Sequence, residues 1–230
     1  MANVNCLIFV ALKNESVPLL KRYNLTPDAD APSVAWRGVF FDRRVAVVVT
    51  GVGRANVDRV APDMMLHYMP ERVLICGTVG ALDPALEPAQ LVIPALVIDA
   101  ATGKKHTPTL AMEGRGTLVT CEKPVAAKSE KALLRQRYNA DAVDMESAPL
   151  AELCTEEQVP WGVIRGVLDT AHQSLPRGLA RLTRDDGGVR GASTARYILT
   201  HPWQLARLSK LGATMRRAMA AVAERIIPVM

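Results

Sequence analysis

Four short segments of the chain hold residue types that do chemistry. Asp169 closes an apolar run that starts at Trp161, within Arg165-Gly166-Val167-Leu168-Asp169-Thr170-Ala171. A carboxyl group at a strand end among apolar neighbours resists ionisation and can serve as a proton donor. Asp144-Met145-Glu146 leads into a helical pattern at Ser147. Glu146 would there stand near a positive helix end and could accept two hydrogen bonds from vicinal hydroxyls, while Met145 offers a soft apolar surface to a ring. Thr50-Gly51-Val52-Gly53-Arg54 and Cys76-Gly77-Thr78-Val79-Gly80-Ala81-Leu82 each follow an apolar run. Such glycine-bearing loops let the backbone approach an anion or a ribose, with amides and the Thr78 hydroxyl as donors. Taken singly, each segment is also explained by a turn or a helix cap, and residues 50–54 lack the third glycine of a dinucleotide fingerprint.

The elements that must position these residues follow from periodicity. Beta-rich runs bounded by turn residues occupy 4–11, 34–41, 45–50, 73–76, 91–98, 118–121 and 161–167, and helical spacing marks 15–23, 55–68, 126–138 and 147–157. Their alternation predicts a parallel or mixed sheet covered by helices on both faces. Ligands on such sheets bind at the carboxyl ends of strands, beside helix N-termini, and residues 11–15, 50–56 and 76–82 lie at such ends. The polar, Gly- and Arg-rich stretch at about 170–195 predicts a surface flap, followed by a closing helix at about 203–226. Residues 1–230 read as a single domain.

Composition narrows the class further. Of 230 residues, 49% are hydrophobic and 22% charged, which suits one sizeable core and excludes a disordered or fibrous chain. Aromatics at 4% argue against stacking-based recognition of single-stranded nucleic acid. Scattered cysteines without a CxxC pair and histidines without zinc spacing predict reduced thiols and no metal. With no signal-peptide pattern and no apolar run of the ~18 residues that span a bilayer, the expectation is a cytoplasmic protein. The net charge of +5 is uneven: residues 177–230 carry +7 and the rest −2. The body is therefore not a nucleic-acid-binding surface. The basic closing helix, with Arg207, Lys210, Arg216, Arg217 and Arg225 between apolar positions, predicts either a solvated face over a packed stripe or peripheral contact with an anionic membrane.

The order of an early strand with Glu15, then TGVGRAN, CGTVGALDP, VDMES and RGVLDTA, resembles the nucleoside phosphorylase and nucleosidase superfamily over about residues 4–172. The resemblance implies a three-layer α/β/α fold with a central mixed sheet, a homo-oligomer, and cleavage of the N-ribosidic bond of a purine nucleoside without metal or redox cofactor. It places Asp169 on the acid that assists protonation of purine N7, Glu146 on the acid that grips the ribosyl hydroxyls, and Glu15 on the water-activating acid of nucleosidases. Met145 falls on the residue that packs against the sugar, and Gly77, Thr78, Val79, Gly80 and Val125 complete the expected substrate-binding set. Thr78, Gly51, Gly53 and Arg54 form the expected phosphate-binding set. A bond that breaks with oxocarbenium character is helped by a protonated leaving base and a carboxylate near the sugar, which suits these roles.

Phosphorolysis, with inorganic phosphate as co-substrate, is the expected reaction. Ile75 stands where phosphorylases often place a phosphate-binding Arg, and residues 11–14 lack the other Arg, so hydrolysis by a nucleosidase is the alternative. Leu168 replaces the small polar residue usual before the acid, which leaves a non-catalytic nucleoside-binding regulator as a second alternative. The stretch from Gly188 through His201-Pro202-Trp203 to Leu211 is similar to the bacterial hopanoid-associated phosphorylase branch, which implies adenosylhopane as substrate and a place in hopanoid biosynthesis.

Overall fold

Alternate residues of two adjacent strands enter different cores, and this sets the layering. In β1 (Cys6–Val10) and β4 (Arg43–Val49), Leu7, Phe9, Ala46 and Val48 join one apolar cluster, and Cys6, Ile8, Val10, Val45, Val47 and Val49 join another. The first cluster takes the buried faces of α2 (Arg54–Tyr68) and α4 (Ser147–Glu156); the second takes those of α1 (Lys13–Tyr23) and the closing helix α5 (Leu205–Ile226). The computed structural model describes residues 3–175, 188 and 205–229. Both faces of the sheet are thus covered, as a largely parallel sheet requires.

The remaining elements are β2 (Thr26–Pro27), β3 (Ala35–Phe40), β5 (Val73–Ala81), β6 (Leu91–Val92), β7 (Leu96–Asp99), β8 (Lys105–His106), β9 (Thr117–Thr120), α3 (Lys128–Tyr138), β10 (Ala142–Asp144) and β11 (Trp161–Asp169). The sheet runs β2-β3-β4-β1-β5-β10-β9-β7-β8, with β11 paired to β5 and β6 paired to β11. β1, β4, β5 and β11 are mutually parallel, whereas β10 runs antiparallel to β5. The architecture is a three-layer α/β/α fold with a mixed sheet.

β5 is the strand on which the site depends. β11 lies along one of its edges from Val73 to Gly80. On the other edge β1 pairs only as far as Ile75, and β10, entering from the opposite end, pairs only at Gly80 and Ala81. The two strands run head-on and stop short of each other. Residues 76–79 are left on that edge without a strand partner, so their backbone groups need other partners.

Two expectations change and a third is largely outside the described residues. The glycine-bearing stretch 76–82, expected as a loop, continues β5 through Ala81, held by its ladder to β11. The run 91–98 divides into β6 and β7 around Pro94, which has no N–H to give a ladder. Of the expected flap at 170–195, residues 176–187 and 189–195 lie outside the described residues. Cys6, Cys76, Cys121 and Cys154 are free thiols. Burial pushes Cys6 and Cys154 up to about 12 and Cys121 to about 11, so they stay protonated.

The apolar stripe of α5 faces inward. Met219, Val222 and Ile226 are buried in the second core, while Arg207, Lys210, Arg216 and Arg217 face solvent. Among the described residues no helix is long and apolar enough to cross a membrane. The helix approaches β11 so closely that a Cβ at Gly166 would lie 2.7 Å from that of Ala218. Gly166→Ala should therefore lower stability by about 1–3 kcal/mol, the usual effect of an overpacked core. Adding Ala218→Gly should restore part of the loss in urea unfolding, and purely additive losses would contradict this contact.

Candidate active site

The gap between β1 and β10 is filled by side chains rather than by a strand. Glu15, in the first turn of α1, accepts from the Thr78 amide (2.8 Å) and hydroxyl (2.7 Å) with Oε1, and from the Ala11 and Leu12 amides (3.2 and 3.1 Å) with Oε2. From the facing strand, Arg165 donates to the Cys76 carbonyl (3.1 Å). The unpaired stretch of β5 is thus satisfied by one carboxylate and one guanidinium. Gly77 makes room for them, because a Cβ there would meet Arg165 Nη1 and come within 3.2 Å of Glu15, and its φ of +144° suits glycine.

Arg165 is 1% exposed and sits at the centre of a buried cluster. Its Nη2 bonds Asp144 at 2.5 Å and Ser147 Oγ at 3.0 Å, and lies 3.8 Å from Glu146 Oε2. Asp144 also accepts from the Thr120 hydroxyl (2.7 Å) and the Ser147 amide (3.1 Å), which fixes the start of α4. Glu146 immediately precedes that helix and accepts from the Gly53 amide at 2.8 Å, a bond that the φ of +86° at Gly53 directs across the pocket. Burial pushes the Glu146 carboxyl up to about 7; Arg165 and the Gly53 amide oppose this, and Asp144 and Glu15 add to it. The same carboxylates raise Arg165 against the effect of its burial, so it remains a cation.

Asp169 lines the same pocket from the end of β11, where a register shift after Val167 breaks the ladder. It is ion-paired to Lys131 of α3, a wholly buried lysine. Burial raises the Asp169 carboxyl and Lys131 counters it.

The pocket gathers Glu15, Glu146 and Asp169 with Met145, Thr78, Val79, Gly80 and Val125, and adds Leu12, Val52, Leu168 and Leu175 as apolar walls. Gly77 lies behind it. The expected phosphate-binding set is not assembled. The Gly51 amide bonds the Ala11 carbonyl, the Gly53 amide bonds Glu146, and both Thr78 donors bond Glu15. Arg54 is turned away to Asp99 (2.6 Å) and Glu152 (3.3 Å). The reason is local: carboxylates inside the fold, and for Gly51 a backbone carbonyl, already occupy the donors that a phosphate would need.

Sequence reasoning quoted Arg165 and Asp144 without giving them a role, and missed Lys131. The signals were present. Arg165 interrupts an otherwise apolar strand, and Lys131 shares the inner stripe of α3 with Leu134 and Tyr138 at helical spacing; a charge on such a face must be paired.

The raised Glu146 carboxyl has a thermodynamic consequence. Its folded-state pKa of about 7 exceeds the ordinary value of 4.5, so the stability it contributes is present below about 4.5 and is lost as pH rises through about 7. Glu146→Gln removes that dependence. The melting temperature of the variant minus that of the parent should become more positive between about pH 5 and about pH 8. A difference that stays flat or falls over that range would contradict the assignment.

Comparison with known proteins agrees with this geometry. The model of the Phosphorylase superfamily matches residues 6–114 and 114–201. An aminodeoxyfutalosine nucleosidase of Campylobacter jejuni is 24% identical over 195 residues, covering 71% of this chain and 85% of the relative. A 5′-methylthioadenosine/S-adenosylhomocysteine nucleosidase of Staphylococcus aureus is 25% identical over 203 residues, covering 71% and 86%. Among solved structures, a 5′-methylthioadenosine/S-adenosylhomocysteine nucleosidase of Campylobacter jejuni superposes with a TM-score of 0.71 at 17% identity, covering 99% of this chain and 98% of that one. From the order of its motifs, its three-layer fold and the family match across most of its length, the chain belongs to the phosphorylase superfamily.

Proposed function

We propose that the protein hydrolyses the N-ribosidic bond of a purine nucleoside, releasing the base and the ribosyl sugar. The observation that carries this reading is the polar lining of the pocket: Glu15, Asp144, Glu146, Asp169 and the Thr78 hydroxyl, with no Lys or Arg among the described lining residues. A phosphate dianion needs cations and free donors, and here Arg165 and Lys131 are taken by carboxylates and the Thr78 and Gly53 donors by Glu15 and Glu146. A ribosyl group acquiring positive charge is stabilised by the same lining. The relatives named as nucleosidases support water as nucleophile and an adenosine-like substrate. This reading replaces the expectation of phosphorolysis. The segment behind the adenosylhopane expectation lies largely outside the described residues, and the pocket lends it no separate support.

The steps follow from the placement of the acids. Glu146 accepts the ribosyl hydroxyls while Met145 packs against the sugar. As the C1′–N9 bond breaks, its electron pair stays with the purine and N7 takes a proton from Asp169. Water adds to C1′ and gives its proton to Glu15. Of the four donors that hold Glu15, only the Thr78 hydroxyl can rotate, so it can turn to orient the incoming water. The gathering of all three acids in one pocket favours turnover over a purely regulatory binding role.

Purine release should proceed at the same rate in phosphate-free buffer, with free sugar as product. Phosphate-dependent release with formation of ribose 1-phosphate would overturn hydrolysis. Glu15→Gln and Asp169→Asn should each lower kcat by roughly two to four orders of magnitude while the protein remains folded, the scale expected of positioned acid–base groups. Near-parental turnover in both variants would remove these roles.

A further inference from the structure

The base end of the pocket holds an ion pair of its own, separate from the Arg165 cluster. Lys131 is 0% exposed and does not line the pocket, whereas Asp169, its ion-pair partner, does. Its Nζ donates to Asp169 Oδ2, to the Thr170 carbonyl (2.7 Å) and to the Gln173 carbonyl (3.1 Å). All three ammonium protons are therefore engaged. The Asp169 carboxylate has no other hydrogen bond among the described residues, and the Leu168 side chain beside it offers no polar group. The other charges near Asp169 are more remote. Arg207, Lys210 and Arg217 of α5 are exposed around a neighbouring cavity that Asp169 also borders, and Glu15 and Glu146 face it across the nucleoside pocket.

We propose that Lys131 and Asp169 hold one proton between them, and that Lys131 is the positioning residue that supplies it, through Asp169, to the leaving base. This rests on the purine-cleavage reading above. The transfer balances. An N–H bond of the Lys131 ammonium breaks and its proton moves to the Asp169 carboxylate; the resulting carboxyl gives a proton to N7 as the C1′–N9 electron pair settles on the purine. Lys131 is left as a neutral amine with two N–H bonds, the number needed for the Thr170 and Gln173 carbonyls. The proton that Glu15 takes from water returns through solvent and recharges the amine. Burial helps, because desolvation brings the neutral acid and amine closer in free energy to the ion pair than they are in water. A lone carboxyl that has ionised has no proton to give, whereas the pair still holds one on the Lys131 ammonium.

The test is the pH–rate profile of Lys131→Met on a purine nucleoside that the parent cleaves. The alkaline limb should move to lower pH, with kcat/KM falling roughly tenfold per pH unit above it, while turnover in mildly acidic buffer stays near parental. 4-Nitrophenyl β-D-riboside, whose leaving group needs no proton, should be cleaved by parent and variant with the same pH dependence. A uniform loss at every pH on both substrates, with the limb unmoved, would make Lys131 merely structural and overturn the proposal. Carbon-13 NMR of the Asp169 carboxyl, assigned with Asp169→Asn, gives a readout independent of turnover. The carboxyl should be ionised at neutral pH in the parent, and a protonated carboxyl there would overturn Lys131 as the resting source of the proton. Were the parent to cleave no purine nucleoside at all, the functional reading would fail while the carbon shift still decided the pairing.

Discussion

A guanidinium buried in the middle of a strand governs the rest of this site. Removing Arg165 from water is unfavourable by on the order of several kcal/mol, as is removing each carboxylate near it, and such a cluster persists only when its members satisfy one another. Arg165 bonds Asp144, Ser147 and the Cys76 carbonyl, and it lies close to Glu146. Each contact fixes a different element: Asp144 sets the start of α4, Cys76 belongs to the unpaired edge of β5, and Glu146 reaches across to the start of α2. Replacing the arginine by an apolar residue would leave buried carboxylates without their counter-ion.

The topology explains why this cluster forms where it does. A sheet whose strands all paired along their full length would leave no polar vacancy in its middle. Here β1 and β10 approach each other along one edge of β5 and leave residues 76–79 between their ends. Backbone groups at that break must be satisfied by side chains, and Glu15 and Arg165 do this from opposite directions. The break that would weaken an ordinary sheet becomes the floor of a pocket, with charged groups fixed before any ligand arrives.

Most elements were legible because periodicity reports burial, and burial on both faces of the sheet is what the apolar runs of β1, β4 and β11 encode. Glu15, Glu146 and Asp169 were legible because each stands at the boundary of such a run. The continuation of β5 through Gly77 and Gly80 was not, because glycine signals a turn locally; its reason for being there is the Arg165 side chain, contributed from a strand almost ninety residues later. The present partners of the expected phosphate-binding donors were hidden for a related reason. Glycines and a threonine advertise free donors in a sequence, but whether those donors are free depends on carboxylates that only the fold brings within reach. Lys131 lay on a helix whose other charges are exposed or half-buried, so its full burial depended on the partner it meets beyond α3.

The two ionic centres differ in what they present to a ligand. Around Arg165, carboxylates outnumber the single guanidinium, which is not among the described lining residues of the pocket. At the end of β11, one carboxylate is backed by one ammonium. A ligand in this pocket therefore meets acceptors for hydroxyl groups on one side and an ion-paired carboxylate on the other. Breaking a ribosyl–purine bond creates this distribution, with cationic character on the sugar and anionic character on the base. The arrangement suits the separated charges of the transition state better than it suits a neutral nucleoside, and that difference, rather than the tightness of ground-state binding, is what accelerates a reaction. The apolar walls formed by Leu12, Val52, Leu168 and Leu175 strengthen both interactions by excluding water from the space between the two centres.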